Sequence, residues 1–531
     1  MKKFVILAVC FYVNSSFAQL KPPPTKQVDS TNTYFGTTYK DPYRWLENIK
    51  DTSVVSWFKQ QANFSNAILN NISGRDELIA EWKKLDKLQP AQINERTYKN
   101  GWIFYRKTLP GQSVGKLYYR EGLNGKEQLL FDPIAYIKGK TLTIESFAPS
   151  FDARRIAIAY SEKGAEVSTI KIMDVATKHF LKDKIYPSAG LEGWTFNNKE
   201  ILYIALKTAD NKDPLARLNT KTRLHKIGQD TKADMDFFSN GSYPDLKIDP
   251  KVYPYSQLTE DNKNYVFAGQ GSVQPELTLY YAPISEFYSG KINWKVLCKP
   301  ENKLVRGIEF IGDKVYAITY DGAKNYKLMA TDIKNPDWKN AKTIAAEKSD
   351  QTLESITHCK DYLFITFSDG INNHIFKYNV HSDKTTELKL PFSGTAYVFC
   401  VDNKTNACTV GITSWTKPYT EFDFDANKEV FTPGIFNKPP VYPPAYKNLL
   451  VKEVEVKGHD GVMVPLSIIY RSATKLNGSN VCLVDGYGAY GISMTPYFNS
   501  LENALAVKGV IIAIPHVRGG SEKGEAWYRA G

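Results

Sequence analysis

Cysteine is scarce, with six in 531 residues, and no pair has the CxxC spacing. That excludes a disulfide framework and a Cys-based zinc module. Histidine is as sparse, with seven. His179, His225, His358, His374 and His381 fall in β-rich segments, His459 in a turn and His516 after an apolar run. None stands at H-E-x-x-H or another metal-ligand spacing, so no metal and no cofactor is expected. The chain has no apolar run of about 18 residues or more, and its mean hydropathy of -0.38 excludes a polytopic membrane protein. An acidic excess is also missing: 68 basic against 56 acidic residues give +12. The basic residues are spread out, mostly as Lys, without a dense block interleaved with aromatics. A solvated surface is therefore expected, not a nucleic-acid partner.

The chain is rich in strand and turn formers: 33 Tyr and 27 Phe beside 34 Gly and 27 Pro. At its start, Lys2 and Lys3 precede an apolar run from Phe4 to Val13, and Ser16-Phe17-Ala18 offers a small-x-small cleavage site. This pattern predicts a signal peptide over 1–18, with export to the periplasm or the medium. Removing Cys10 leaves Cys298, Cys359, Cys400, Cys408 and Cys482. They are read as mostly buried thiols, with room for one incidental bridge.

Residues 19–88 read as a helical segment. Val54, Val55, Phe58, Ala62, Ala67 and Leu69 recur at helical steps after the N-cap candidates Asp51-Thr52-Ser53, and a second helix is expected from Arg75 to Leu88. From about residue 89 to 436 a β-rich run returns after turn residues, centred on Trp102, Ile156, Ile201, Tyr265, Val315, Tyr362 and Cys408. Seven returns at about 50 residues each predict a seven-bladed β-propeller of four-stranded blades. From 437 to 531 the texture changes again. Leu449 to Val456 and Val462 to Tyr470 flank the turn Asp460-Gly461. Val481 to Val484 is read as a buried strand. Tyr497, Phe498, Leu501, Ala504, Leu505 and Val507 follow on one helical face, and Val510 to Ile514 as a second buried strand. This is the beginning of a parallel α/β sheet.

The G-x-S-x-G match at Gly111-Gln112-Ser113-Val114-Gly115 lies between two strands, so it is read as a hairpin loop and not as a nucleophile elbow, which needs strand, turn and helix. His516 lies beyond a buried strand and has no paired Ser or Asp nearby in sequence, so it is read as structural. Two glycine-rich loops follow buried strands, Asp485 to Gly491 and Arg518-Gly519-Gly520. Ligands of open α/β sheets meet such loops at the carboxyl ends of strands.

Asp41 to Glu47, the seven-blade middle, Asp460-Gly461 before Val464-Pro465, Gly486-Tyr487-Gly488, and Arg518-Gly519-Gly520 with Glu522, Gly524 and Trp527 together resemble the prolyl oligopeptidase family of serine peptidases. The resemblance implies an α/β-hydrolase domain, completed by the N-terminal segment packing on it, against a propeller that admits only short peptides. It implies hydrolysis by a Ser-His-Asp triad, Tyr487 as an oxyanion-hole hydroxyl, Tyr490 as an aromatic of the substrate site, and Arg518 beside it as a further substrate contact. Asp485 stands where the family usually has an aromatic. Ala489-Tyr490, His516-Val517-Arg518 and Trp527-Tyr528 are closer to the oligopeptidase B branch, which cuts after Lys or Arg, whereas Pro42 to Glu47 favours the prolyl branch. Cleavage after proline is preferred.

In α/β-hydrolases the triad follows later strands, so all three members are expected beyond Gly531, and the hydrolase domain is expected to be incomplete. The chain by itself then reads as a C-terminally truncated, monomeric and inactive part of an exported oligopeptidase without membrane insertion. Two other readings stand beside it, a non-catalytic propeller that binds peptides and a non-peptidase hydrolase on the same fold.

Overall fold

The computed structural model describes residues 21–210, 212–400 and 402–531. The leader-like segment over 1–18 lies outside them. Two compact units divide at Glu81 and Trp82. The smaller one holds a hairpin, Thr31–Tyr34 with Thr37–Lys40, and a helix over Thr52–Leu69. Asp51 caps that helix by accepting the Ser53 amide at 2.7 Å, as its position before the apolar stripe predicts. The next helix, Arg75–Asp86, stops two residues before the predicted Leu88.

The larger unit begins with the propeller. The seven sequence returns mark one equivalent element, the second strand of each blade: Trp102–Thr108, Arg155–Glu162, Glu200–Ala205, Tyr265–Gly271, Lys314–Thr319, Tyr362–Ser368 and Ala407–Thr413. These strands read as continuous apolar runs because blades stack face to face. Ile156, Ala157, Ile158 and Ala159 are each fully buried, although alternate residues point to opposite faces. One cluster joins the first and second blades through Phe104, Leu117, Ile156 and Ile158. Another joins the sixth and seventh through Phe364, Ile375, Val410 and Phe424.

The expectation of four separate strands per blade fails once. The 15-residue strand Phe180–Trp194 pairs with Ser168–Asp174 through its first half and with Glu200–Ala205 through its second. It therefore closes the second blade and opens the third. Register shifts on either side of Ser188 let the strand turn from one sheet into the next.

The ring closes between the seventh and first blades without a shared strand among the described residues. Ile93, Ile103 and Tyr105 of the first blade pack on Phe436, which follows the seventh. Arg120 and Arg96 lie over the Phe436 ring at 4.3 and 4.8 Å. Asn437 accepts the Ile93 amide at 2.8 Å and donates to its carbonyl at 3.0 Å. Arg96 pairs with Glu421 at 2.9 Å, with side chains 9% and 0% exposed.

Beyond the propeller lies a four-stranded sheet in the order Leu449–Lys457, Met463–Arg471, Ile511–Pro515 and Cys482–Val484. The first two pairings are antiparallel and the last is parallel. Helix Ser500–Val507 connects the parallel pair. Ile511–Pro515 is central and apolar as expected, with Ile512 and Ile514 fully buried. The expectation of burial fails for Val481 to Val484. Val481 is 73% and Val484 66% exposed, because Cys482–Val484 is the sheet's edge strand and pairs on one side only. Tyr497 and Phe498 precede the helix, which starts after the Asn499 cap, and Tyr497 and Leu501 are exposed. The core of this part unites Leu85, Tyr446, Leu449, Ile469, Ala504 and Ile512.

Candidate active-site loops and the propeller mouth

The parallel pair points both of its carboxyl ends to one side of the sheet, and each end opens into a glycine-rich loop. The Asp485 amide donates to the Ala513 carbonyl at 3.0 Å, extending the pairing one step into the first loop. The two loops then meet backbone to backbone. The Gly491 amide donates to the Gly519 carbonyl at 2.9 Å. Gly519 has φ +93°, and a Cβ there would stand 2.1 Å from the Gly488 carbonyl oxygen. A Cβ on Gly488 would stand 2.6 Å from the Arg518 carbonyl oxygen. Glycine is required at both positions because no side chain fits between the chains.

This junction holds Tyr487 and Tyr490 at the surface, 41% and 63% exposed, and Tyr490 itself adopts a left-handed φ of 57°. Arg518 is engaged differently. Its guanidinium donates to Asp460 at 2.5 Å, tying the second loop to the turn of the neighbouring hairpin. Hydrogen bonding from the Val462 amide and then from Arg518 holds the Asp460 carboxyl below the usual range.

His516 does have a serine partner, which the sequence alone did not reveal. Sheet register sets Ser467 opposite Ile514, and Ser467 Oγ then lies 2.9 Å from His516 Nε2. Glu522 lies 3.9 Å from His516 Nδ1, completing the outline of a triad. Its polarity is wrong for catalysis. Ser467 donates its proton to Glu453 at 2.6 Å, so His516 must donate to the serine oxygen and cannot act as its base. Burial also pushes the His516 pKa down to about 4, leaving the ring neutral. Ser467 and His516 are 0% and 1% exposed, out of reach of a substrate. Ser113 is exposed, yet it sits in the hairpin between Trp102–Thr108 and Lys116–Glu121, as read from sequence.

The second loop is bolted to the propeller. Arg306 donates to Ser521 Oγ at 2.5 Å and pairs with Glu354 at 2.6 Å. Tyr326 donates to Glu525 at 2.9 Å, and Arg529 pairs with Glu276 at 2.5 Å. Arg306 and Glu354 lie near the beginnings of the first strands of the fifth and sixth blades, Leu304–Ile311 and Thr352–His358.

The far ends of the blades' first strands line a cavity of about 630 Å³ on the propeller axis, where Lys99, Trp194, Gln257, Ile311, His358 and Cys400 converge. It lies at the strand ends opposite those that carry Arg306 and Glu354. Charged groups of separate blades meet here. Lys99 pairs with Glu260 at 2.5 Å, and His358 with Glu309 at 2.6 Å and Asp261 at 3.6 Å.

Burial works against a charged His358, but the Asp261 and Glu309 carboxylates outweigh it and raise its pKa to about 9. Because the folded value exceeds the unfolded value of about 6.5, this contribution is complete below about pH 6.5 and is lost as pH rises through about 9. The shift corresponds to about 3 kcal/mol. The stability advantage of the native chain over His358→Gln should therefore shrink between pH 6.5 and 9, which denaturant titrations across that range would measure. A pH-independent difference would assign His358 no ionic role.

The model of the prolyl oligopeptidase N-terminal β-propeller domain matches residues 23–433. A prolyl endopeptidase of Elizabethkingia meningoseptica is 26% identical over 516 residues, covering 96% of this chain and 70% of the relative. Prolyl oligopeptidase B of Galerina marginata, solved with a 25-residue macrocyclisation substrate, superposes with a TM-score of 0.84 at 20% identity, covering 96% of this chain and 74% of that one. Oligopeptidase B of Leishmania major superposes at 0.81 and 19% identity, with 96% and 74% covered. The last two share the fold. With the propeller matched along more than three quarters of the chain, and with the paired glycine loops beside it, this protein belongs to the prolyl oligopeptidase family of serine peptidases.

Proposed function

We propose that the chain is the propeller-bearing part of an exported oligopeptidase that hydrolyses short peptides, after proline, through an acyl-enzyme. The observation that carries this reading is the exposed Tyr487 just past the carboxyl end of Cys482–Val484, in a loop whose glycines hold it against the second loop. A phenolic hydroxyl there would donate to the oxyanion of a tetrahedral intermediate, and its exposure supports that role. Tyr490, more exposed still, is the aromatic wall of the same site. The acyl-accepting serine and its base belong to the share of the family's length that this chain does not span. Among the described residues, Ser467–His516 is buried and of the wrong polarity, and Ser113 has no elbow. Acyl transfer needs an activated, accessible nucleophile.

The test compares a chain of residues 19–531 with the complete protein on chromogenic peptides ending in Pro, Arg or Lys. The expected result is turnover of the Pro substrate by the complete protein, blocked by a serine-reactive phosphonate, and none by residues 19–531. Faster cleavage after Arg or Lys would move the specificity to the oligopeptidase B type. Phosphonate-sensitive turnover by residues 19–531 would overturn the placement of the nucleophile.

A further inference from the structure

The propeller carries three thiols that the sequence scatters over 50 residues and the fold brings into one cluster: Cys359, Cys400 and Cys408, with all three sulfur atoms within 4.8 Å of one another. Cys400 follows the first strand of the seventh blade, and Cys408 lies on its second. The register that pairs Phe399 with Thr409 sets Cys400 directly opposite Cys408 one step further. Their sulfurs are 3.0 Å apart. Directly opposed residues of an antiparallel pair have Cα atoms about 4.5–5.5 Å apart, inside the span a disulfide tolerates. Cys359 follows the first strand of the sixth blade and donates to Asn406 Oδ1 at 3.4 Å, which holds it beside the pair.

We infer that Cys400 and Cys408 are a disulfide-forming site, with Cys359 as an exchange thiol that can take over the bond and tie the sixth blade to the seventh.

Access and environment both support a disulfide. Cys359 and Cys400 border the 630 Å³ cavity at the propeller mouth, so a low-molecular-weight disulfide can reach Cys400, the partly exposed member. Cys359 and Cys408 are 0% and 4% exposed among Phe364, Val398, Val410 and Phe424. A disulfide is neutral and suits that apolar setting. Three thiolates around a divalent ion would leave a net negative charge there, which burial disfavours. The chemistry balances without a further reactant. The Cys400 thiolate attacks one sulfur of the small disulfide and expels a thiolate. Cys408 then attacks Cys400 Sγ and expels the second. Two electrons pass to the small disulfide, which leaves as two thiols carrying the two cysteine protons. In exchange, the Cys359 thiolate attacks the Cys400–Cys408 bond at Cys400 and releases Cys408 as a thiolate, with no net oxidation. This bond shift joins two blades beside the axial mouth.

The experiment treats the reduced, folded protein with glutathione disulfide under argon. Free thiols are then alkylated in denaturant and the peptides mapped by mass spectrometry. The expected result is loss of two thiols per chain as a Cys400–Cys408 bridge. That bridge should be unchanged in Cys359→Ser and replaced by Cys359–Cys400 in Cys408→Ser. Should Cys408→Ser fail to fold, the native protein and Cys359→Ser still decide the first bridge. Exchange is then read in the native protein as a minor Cys359–Cys400 fraction that grows with substoichiometric reductant. Three free thiols after treatment, a glutathione adduct that persists on Cys400, or a stoichiometric metal ion that blocks oxidation would overturn the assignment.

Discussion

Tyr487→Phe, made in the complete enzyme, is expected to lower kcat about 10²–10³-fold on a small peptide amide, with KM largely unchanged. The hydroxyl is removed and the ring kept, so binding by the aromatic face survives. What is lost is a donor that engages only as the carbonyl oxygen becomes an oxyanion, the pattern expected of an interaction made in the transition state alone. The side chain is 41% exposed, so loss of the hydroxyl should leave folding stability almost untouched. Steady-state kinetics with chemistry rate-limiting, beside a thermal melt, separates the two. An unchanged kcat would remove Tyr487 from the oxyanion site. A large drop in melting temperature with normal kcat would make it a packing residue.

Glu421→Ala should destabilise the larger unit by about 3–5 kcal/mol, the cost typical of leaving a buried charge without its partner. The Arg96–Glu421 pair is almost completely buried, and Glu421 Oε2 also accepts from Asn437 at 2.9 Å. Removing the carboxylate therefore strands one guanidinium at the seam where the ring closes and leaves the Asn437 amide only its bond to the Ile93 carbonyl. The double substitution Arg96→Met with Glu421→Leu should recover most of the loss, because the stranded charge goes with it. Denaturant unfolding of the single and double variants measures both. Equal destabilisation by the two would mean that the seam depends on the ion pair itself.

The candidate loops were partly legible in the sequence. Glycines after apolar runs marked the ends of strands, and Tyr487 and Tyr490 stood among them. The pairing of Gly488 with Gly519 was not legible, since residues 31 apart in the chain meet only when two parallel strands end side by side. Arg518 read as a substrate contact in a site loop, and its partner Asp460, which comes from a hairpin 58 residues away, was not legible. His516 read as solitary because Ser467 reaches it through sheet register.

The propeller, its blade count and the order of the chain's parts were already legible residue by residue. Blades repeat a local pattern, and a strand buried on both faces shows as an apolar run wherever it stands. The sequence also marked Ser113 as a hairpin loop, since the flanking strands are local. The folded arrangement set where those patterns meet. It made Phe180–Trp194 one strand serving two blades and turned Val481 to Val484 into an exposed edge. It closed the ring on a buried ion pair and gathered Cys359, Cys400 and Cys408 at one mouth. Each of these depends on which strands pair and in what register, and hydrophobic periodicity reports that a residue is buried without reporting against what.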